Sequence, residues 1–110
     1  MRLTRTTLDK CFDGITILPT SGVYILAYMG LIIYVGKAID INERMRAHCI
    51  TKMSHKLPID LWLIQMQFDY QNIRLDIIET PDLVDDLSWL RTTEASCIGQ
   101  FYPLFNSHLN

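Results

Sequence analysis

Two β-forming segments separated by a short glycine-containing turn place the strongest constraint on the fold. The first segment covers residues 22–27 (GVYILA), and the second covers residues 31–36 (LIIYVG). Both are rich in β-branched and aromatic residues, which favour the pleated strands of a sheet. The turn between them ends at Gly30. This pattern predicts an antiparallel β-hairpin.

The length of the turn decides which side chains share a face of the hairpin. A three-residue loop that ends at Gly30 suits a type I turn followed by a left-handed residue. In that register Ala27 faces Leu31, and Tyr24 therefore lies directly opposite Tyr34. A two-residue loop would place the two tyrosines on opposite faces, because a shift of one residue reverses every side chain.

The segment after the hairpin predicts an α-helix that begins at Asp40. Asp40 is a favourable N-cap residue, and Glu43 lies three residues later, as in a capping box. We expect this helix to end within residues 51–55, before Pro58.

The second half of the chain predicts two more strands and a second helix. The strands are expected at residues 59–68 and 73–80, with a turn between them. Thr80 followed by Pro81 resembles an N-cap with proline at the first helical position, and the helix that it opens must end by Pro103.

Length and composition fit one globular domain. The 110 residues, 49% hydrophobic and 20% charged, provide a modest core, and we expect residues 1–110 to form a single domain. No segment resembles a secretory signal or approaches the roughly 20 apolar residues of a membrane span. We therefore expect a soluble protein in the cytoplasm, without membrane partners. Three widely spaced cysteines without a C-x-x-C pair indicate reduced core residues.

The distribution of charge is more informative than its total. A net charge of −2 argues against proteins that coat nucleic acid without specificity. Residues 1–56 nevertheless carry eight Lys or Arg against four Asp or Glu, while residues 57–110 carry two against eight. Two solvated faces of different composition would explain this asymmetry, and so would a basic DNA-binding face. The residues of that face would be Lys37, Arg44, Arg46, Lys52 and Lys56.

Two polar side chains lie at the edge of the apolar stripe on the first predicted helix. Ile41, Met45 and Cys49 form the stripe at helical spacing, and Arg44 and His48 flank it one turn apart. Arginine can lay its stem on apolar surface with its head in water. For His48 taken alone, a structural role of this kind is favoured over a functional one.

An acidic residue lies within the apolar stripe of the last predicted helix. At helical spacing Glu94 falls among five apolar residues: Leu83, Leu87, Leu90, Ile98 and Phe101. Burial of an unpaired carboxylate costs several kcal/mol, so Glu94 must be paired with a base, protonated or bound to a metal. A salt bridge with Arg44 and a metal-ligand role are equally good explanations at this point.

The order of these residues resembles that of the GIY-YIG nuclease family, which includes the incision domain of the bacterial excision repair nuclease, restriction enzymes and homing endonucleases. The matching motifs are Gly22-Val23-Tyr24, Tyr34-Val35-Gly36-Lys37, Arg44, His48, Glu94 and Asn106. The resemblance covers residues 22–106. It implies an α+β fold with a small central antiparallel β-sheet flanked by helices.

The resemblance also implies an active site. Tyr24 and Tyr34 match the catalytic tyrosines of the family, and Lys37 and Arg44 match its basic groups that face phosphate. A tyrosine can act as general base only if cationic neighbours lower its pKa from about 10. Lys37, Arg44 and a metal ion are the neighbours expected to do so.

The remaining matched residues concern the metal and its surroundings. Glu94 matches the family's metal ligand, Asn106 a nearby polar anchor, and His48 a histidine present in part of the family. The implied function is a DNA endonuclease that uses one divalent cation, Mg²⁺ or Mn²⁺. Two alternatives remain open: a binding module that kept the fold without activity, and a nuclease subunit that needs a protein partner or a second copy.

Overall fold

We describe the chain from a computed structural model, which covers residues 2–49, 57–82 and 86–106. Four strands form one antiparallel sheet in the order β1-β4-β2-β3. They are β1 (Leu3–Thr7), β2 (Gly22–Tyr28), β3 (Leu31–Ala38) and β4 (Ile73–Glu79). The helices are α1 (Ile41–Cys49), α2 (Pro58–Gln65) and α3 (Asp86–Phe101), with short 3-10 helices at Leu8–Phe12 and Tyr70–Asn72. The predicted α+β class is confirmed.

The hairpin turn is shorter than the sequence predicted. Strand pairing closes at Tyr28 and Leu31, so the loop contains two residues and not three. Met29 and Gly30 have φ angles of 50° and 82°, the left-handed conformations that a tight type I′ hairpin turn requires. The expected pairing of Ala27 with Leu31 is therefore wrong.

A β-bulge in β3 keeps the two tyrosines on one face despite the shorter turn. Ala27 pairs with Ile32 and Leu26 pairs with Tyr34, so the register skips Ile33. The extra residue reverses the alternation of side chains a second time. Tyr24 consequently lies diagonal to Tyr34 and not directly opposite it. The shared face was predicted correctly, although through the wrong register.

Helix α1 begins as predicted. The backbone N–H of Glu43 donates to Asp40 Oδ1 at 3.1 Å, which makes Asp40 the N-cap residue. Ile41 and Met45 are fully buried in the core. The predicted end of the helix, within residues 51–55, lies outside the described residues.

Residues predicted as the strand 59–68 belong mainly to helix α2, so that prediction is wrong. Burial follows a helical period: Ile59 and Leu63 are fully buried, while Leu61 between them is 55% exposed. Pro58 occupies the first turn, where its missing N–H costs nothing. Apolar residues at nearly every position concealed this period in the sequence.

The second half otherwise follows the predicted order of elements, with one changed boundary. Strand β4 is confirmed at the predicted place. The Thr80 hydroxyl lies 2.7 Å from the Ser21 hydroxyl instead of capping a helix, and Pro81 has no helical conformation. Helix α3 is described over Asp86–Phe101 and ends, as expected, before Pro103. Strand β1, at one edge of the sheet, was not predicted.

The sheet is covered on both faces. Tyr24, Leu26 and Tyr28 of β2 pack in the cluster that includes α1 and α2, while Val23 and Ile25 pack against α3. From α3, Leu90 and Cys97 are buried against the sheet. The predicted apolar stripe of this helix is only partly correct, because Leu87 is 62% exposed and Leu83 lies outside the described residues.

Two further expectations concern cysteines and membrane spans. Cys11, Cys49 and Cys97 form no disulfide bond, and burial raises the pKa of the Cys11 thiol to about 12, as expected of an inert core residue. In the described part of the chain, none of the helices combines the length and the apolar character needed to cross a bilayer.

Candidate active site

Strand β3 forms an edge of the sheet, and the chain after α3 runs along it. The backbone N–H of Phe105 donates to the Ile33 carbonyl at 2.8 Å. The side chain of Asn106 then accepts from the Val35 N–H at 2.8 Å and donates to the Val35 carbonyl at 2.9 Å. The Asn106 amide therefore pairs with β3 as the backbone of a further strand would.

An open cleft of about 760 Å³ lies at this edge. Four polar side chains line it, and three of them were predicted as site residues. They are Tyr34, Glu94 and Asn106, together with Arg91, which the sequence analysis did not single out. Residues that are 60 positions apart in the sequence thus meet at one surface because β3 and α3 are neighbours in the fold.

A row of neighbouring polar side chains leads from the cleft into the core. The ring of Tyr34 lies beside that of Tyr24, with their centroids 6.1 Å apart, and Tyr24 is fully buried. The Tyr24 hydroxyl lies 2.7 Å from Nε2 of His48, and Nδ1 of His48 hydrogen-bonds Oδ1 of Asp60. Tyr34 is half-buried and lines the cleft, so it is the one of these four side chains that substrate can reach.

Of these four side chains, Asp60 is the one that the sequence did not predict. It lies in the first turn of α2, and its Oδ2 accepts from the Leu57 N–H at 2.9 Å. Its carboxylate is nearly buried, with 11% of the side chain exposed. The signal that could have revealed it is an acidic residue two positions after Pro58, once residues 58–65 are taken as a helix.

Burial opposes ionisation of both tyrosines. Desolvation raises the pKa of Tyr24 well above its ordinary value, and the neighbouring Tyr34 raises it further. Desolvation also raises the pKa of Tyr34, followed by the negative charge of Glu94. Arg44 lowers the pKa of both phenols, but its effect is smaller. The expectation that cationic side chains lower these pKa values is therefore not met by the chain alone.

The carboxylate of Glu94 is paired with Lys37 and not with Arg44. The Lys37 Nζ lies 2.9 Å from Glu94 Oε1, and their side chains are 45% and 20% exposed. Lys37 pairs with Val23 in the sheet, so its side chain points to the α3 face, opposite to Tyr34. Strand β3 thus presents an ammonium group, from Lys37, on its α3 face and a hydroxyl group, from Tyr34, on its other face.

Three basic residues surround a smaller depression beside the cleft. Lys37, Arg44 and Arg91 line it, and Arg91 lines the cleft as well. Arg46, also predicted to bind DNA, is exposed and lies close enough to Cys11 to influence that thiol, away from this basic group. The other two members of the predicted basic face, Lys52 and Lys56, lie outside the described residues.

The donor set around Glu94 fits a weakly held, hydrated cation. Among the described residues no group of three or more His, Cys, Asp or Glu side chains could enclose a metal ion. Mg²⁺ commonly binds through one or two carboxylates and takes its remaining ligands from water and substrate phosphate. Glu94 provides a hard oxygen ligand at an open cleft, so a cation held jointly by protein and substrate is compatible with this site.

Gly36 is required by the packing of Tyr24. A Cβ atom at position 36 would lie 2.2 Å from the Tyr24 hydroxyl oxygen, which cannot move freely because the ring is fully buried. We expect Gly36→Ala to destabilise the fold by about 1–3 kcal/mol, as overpacking of a core usually does. Equilibrium denaturation in urea measures this loss.

Gly99→Ala is the matched control for the Gly36 variant. Gly99 lies in helix α3 with nothing within 4 Å of an added Cβ. This substitution should stabilise the helix by up to about 1 kcal/mol. Equal stability of the Gly36→Ala and wild-type proteins would show that Tyr24 can shift, and would contradict the packing described above.

Comparison with known proteins identifies the fold. No model of a known protein family matches the sequence, and no curated protein does. Among solved structures, the magnesium-bound GIY-YIG N-terminal endonuclease domain of UvrC from Thermotoga maritima superposes with a TM-score of 0.59. The sequences are 21% identical over 90% of this chain and 98% of that domain.

Two point mutants of the same UvrC domain give the same result. One replaces a tyrosine with phenylalanine and the other replaces an asparagine with alanine, and both contain the catalytic divalent cation. Each has a TM-score of 0.59 and 20% identity over 91% of this chain and 98% of the domain. The sheet, the flanking helices and nearly all of the chain are shared with these structures. The chain therefore has the GIY-YIG fold.

Proposed function

We propose that this chain is a divalent-metal-dependent endonuclease that hydrolyses DNA phosphodiester bonds at the β3 edge. One observation carries the proposal: Tyr34 and Glu94, from opposite faces of the sheet, line the same open cleft. A hydroxyl that can exchange a proton and a carboxylate that can hold a cation are the two groups that metal-assisted hydrolysis needs. The GIY-YIG fold and its magnesium-bound UvrC examples support this interpretation.

We propose that His48 is the final proton acceptor. Because burial raises the pKa of both tyrosines, a resting phenolate is unfavourable. As water attacks phosphorus, its proton passes to the Tyr34 oxygen, the Tyr34 proton passes to Tyr24, and the Tyr24 proton passes to Nε2 of His48. The P–O bond to the leaving oxygen breaks, and this oxygen takes a proton from solvent. Tyr34 ends the step as a neutral phenol, and His48 ends it protonated.

Glu94 is proposed to hold one Mg²⁺ or Mn²⁺ ion. A bound cation at this position would polarise the non-bridging phosphate oxygens and stabilise charge in the transition state. A cation on the carboxylate would compete with the Lys37 ammonium, which is then available for phosphate. The adjacent fork of Arg44 suits phosphate oxygens in the same way.

DNA contacts are proposed for the basic group at the cleft. Lys37 and Arg44 carry the roles implied by the resemblance, and Arg91 joins them on the basis of its position. The DNA contacts proposed for Arg46, Lys52 and Lys56 remain sequence-based predictions. Asn106 is proposed to act by holding β3 at the cleft and not by touching substrate.

The chain is proposed to act as one domain, residues 1–110, in the cytoplasm. Its net charge of −2 provides little general attraction for DNA. A protein partner or a second copy of the chain is therefore proposed to bring substrate to the site. Activity that is detected only in the presence of a co-purifying protein would identify the first of these.

Cleavage assays with defined substrates test the proposed function. Purified protein is incubated with labelled duplex, flap, branched and single-stranded DNA, and with RNA, in Mg²⁺, Mn²⁺ or EDTA. We expect nicking of at least one DNA substrate that stops in EDTA. Binding without cleavage of every substrate in either metal would favour the non-catalytic module.

Tyr24→Phe is expected to slow cleavage although Tyr24 cannot touch DNA. The substitution removes the hydroxyl between Tyr34 and His48, so the proposed proton path is interrupted while the buried ring stays in place. Loss of positioned proton transfer typically costs 10²–10⁴-fold in rate. Single-turnover kinetics and DNA affinity are measured together, and we expect only the rate to fall.

Tyr28→Phe provides the matched control on the same strand. Its hydroxyl donates to Asp69 Oδ2 at 2.6 Å, away from the site, so cleavage should be unchanged. A Tyr24→Phe protein that cleaves at the wild-type rate would exclude the proposed path through Tyr24.

A further inference from the structure

We propose that Asp60 is a positioning residue that fixes the tautomer of His48, so that Nε2 can accept the proton from Tyr24. The inference rests on the proposed nuclease function for its kinetic consequence, but the geometry that supports it does not. Asp60 lies outside all motifs that led to the resemblance.

The geometry makes Asp60 a hydrogen-bond acceptor for the imidazole of His48. Its Oδ2 accepts from the Leu57 N–H at 2.9 Å, and its Oδ1 is bonded to Nδ1 of His48. A carboxylate has no proton to donate, so the His48 contact requires a hydrogen on Nδ1. In the neutral ring the lone pair is then on Nε2, which faces Tyr24 at 2.7 Å.

Burial restricts the movement of both side chains, and it also excludes the water that would otherwise stabilise a positive charge on His48. Only 5% of the His48 side chain and 11% of the Asp60 side chain are exposed. A charge that is removed from water must be compensated by a partner. When His48 receives a proton, the Asp60 carboxylate provides the counter-charge for the imidazolium at a place where water cannot.

The position of Asp60 on α2 explains how it is held. The Leu57 N–H precedes the helix and is fixed by the carboxylate, while Ile59 and Leu63 anchor α2 in the core. Helix α2 packs against α1, which carries His48. Asp60 is thus placed behind the imidazole, on the side away from Tyr24, by two helices and not by a loop.

Asp60→Asn tests the inference because it should reverse the tautomer. The Leu57 N–H requires an acceptor, so the amide oxygen of the new side chain is expected to face Leu57 and its NH₂ to face Nδ1. Nδ1 must then accept, which moves the ring proton to Nε2 and prevents it from accepting from Tyr24. We expect the cleavage rate to fall about a hundredfold or more, with unchanged affinity for DNA.

A matched substitution separates this effect from simple loss of stability. Asp76 is also buried, with 4% exposure, and it is paired with Arg5 and Arg74 on the α3 face of the sheet. Asp76→Asn should lower the melting temperature without lowering the cleavage rate of the folded protein. A similar loss of rate in both variants would assign Asp60 a merely structural role.

A double-mutant cycle tests whether Asp60 acts through His48. In a His48→Gln background, the further change Asp60→Asn should alter the rate by less than about twofold, because the group that it positions is gone. Effects that multiply would overturn the inference, as would a folded Asp60→Asn protein with the wild-type rate.

Nuclear magnetic resonance keeps the inference testable even if the variant does not fold or the chain does not cleave DNA. In the ¹⁵N-labelled wild type at a pH where the ring is neutral, we expect the His48 proton on Nδ1. In folded Asp60→Asn we expect it on Nε2. A wild-type proton on Nε2 would overturn the role of Asp60. Absence of cleavage on all substrates, with the expected tautomer, would instead count against the nuclease proposal alone.

Discussion

Glu94→Gln is expected to abolish DNA cleavage and to leave the fold intact. The amide keeps the shape of the side chain but loses the charge that attracts a divalent cation. Loss of a metal's contribution is worth several kcal/mol in the transition state, and about 4 kcal/mol corresponds to roughly a thousandfold in rate. We therefore expect a rate near the detection limit in both Mg²⁺ and Mn²⁺.

The effect of this substitution on stability should be small. The partner of Glu94 is Lys37, whose side chain is 45% exposed, so the ammonium regains water when the carboxylate is removed. Exposed ion pairs usually contribute 1 kcal/mol or less. If the partner were a buried arginine, the same change would leave its charge without a partner and lower the free energy of unfolding by roughly 3 kcal/mol.

Thermal melts with and without Mn²⁺ and a DNA duplex accompany the kinetic measurement. Glu79→Gln is the control, because Glu79 also pairs with a basic residue, Arg2, but on β4, which β2 separates from β3. This variant should cleave at the wild-type rate. Substantial cleavage by folded Glu94→Gln would exclude Glu94 as the metal ligand, and activity that falls only as folding fails would indicate a structural ion pair.

The hairpin illustrates how far local sequence determines the site. Alternating β-formers around Gly30 were sufficient to predict two strands and the shared face of Tyr24 and Tyr34. They were insufficient for the turn, because Met29 adopts a left-handed conformation that its own preference disfavours. The bulge at Ile33 that compensates for the shorter turn depends on packing of the whole sheet, which a local pattern does not contain.

Helix α2 shows the limit of periodicity. In the segment from Ile59 onward, apolar residues occupy both helical and alternating positions, so burial and not pattern decides between strand and helix. With the helix unrecognised, Asp60 could not be connected to His48, which lies 12 residues earlier on another helix. That contact depends on how α1 and α2 pack, and it is therefore a tertiary property.

The salt bridge between Glu94 and Arg44, one of the two alternatives left open, is replaced by one to Lys37 for a similar reason. Position in the helix predicted that the carboxylate needs a base or a metal, and the structure provides a base. The identity of that base depends on which face of β3 each side chain points to. Lys37 leaves toward α3, while Arg44 reaches the same depression from α1.

Arg44→Ala is expected to lower the cleavage rate about a hundredfold and DNA affinity much less. Its guanidinium is exposed beside the cleft, where it can approach phosphate oxygens without disturbing the core. Removal of one charge-stabilising contact from a preorganised site typically costs roughly 3 kcal/mol in the transition state. Single-turnover rates at saturating protein and binding isotherms in Ca²⁺ separate the two quantities.

Two further variants distinguish catalysis from general attraction. Arg44→Lys keeps the charge but loses the planar fork, so we expect it to restore affinity more completely than rate. Arg2→Ala removes the same charge from the residue just before β1, the strand at the opposite edge of the sheet from β3, and should change neither quantity beyond a small salt-dependent effect. Equal losses of rate and affinity in Arg44→Ala would make Arg44 a docking residue. Transition-state charge would then be stabilised by the remaining basic groups of the depression, Lys37 and Arg91.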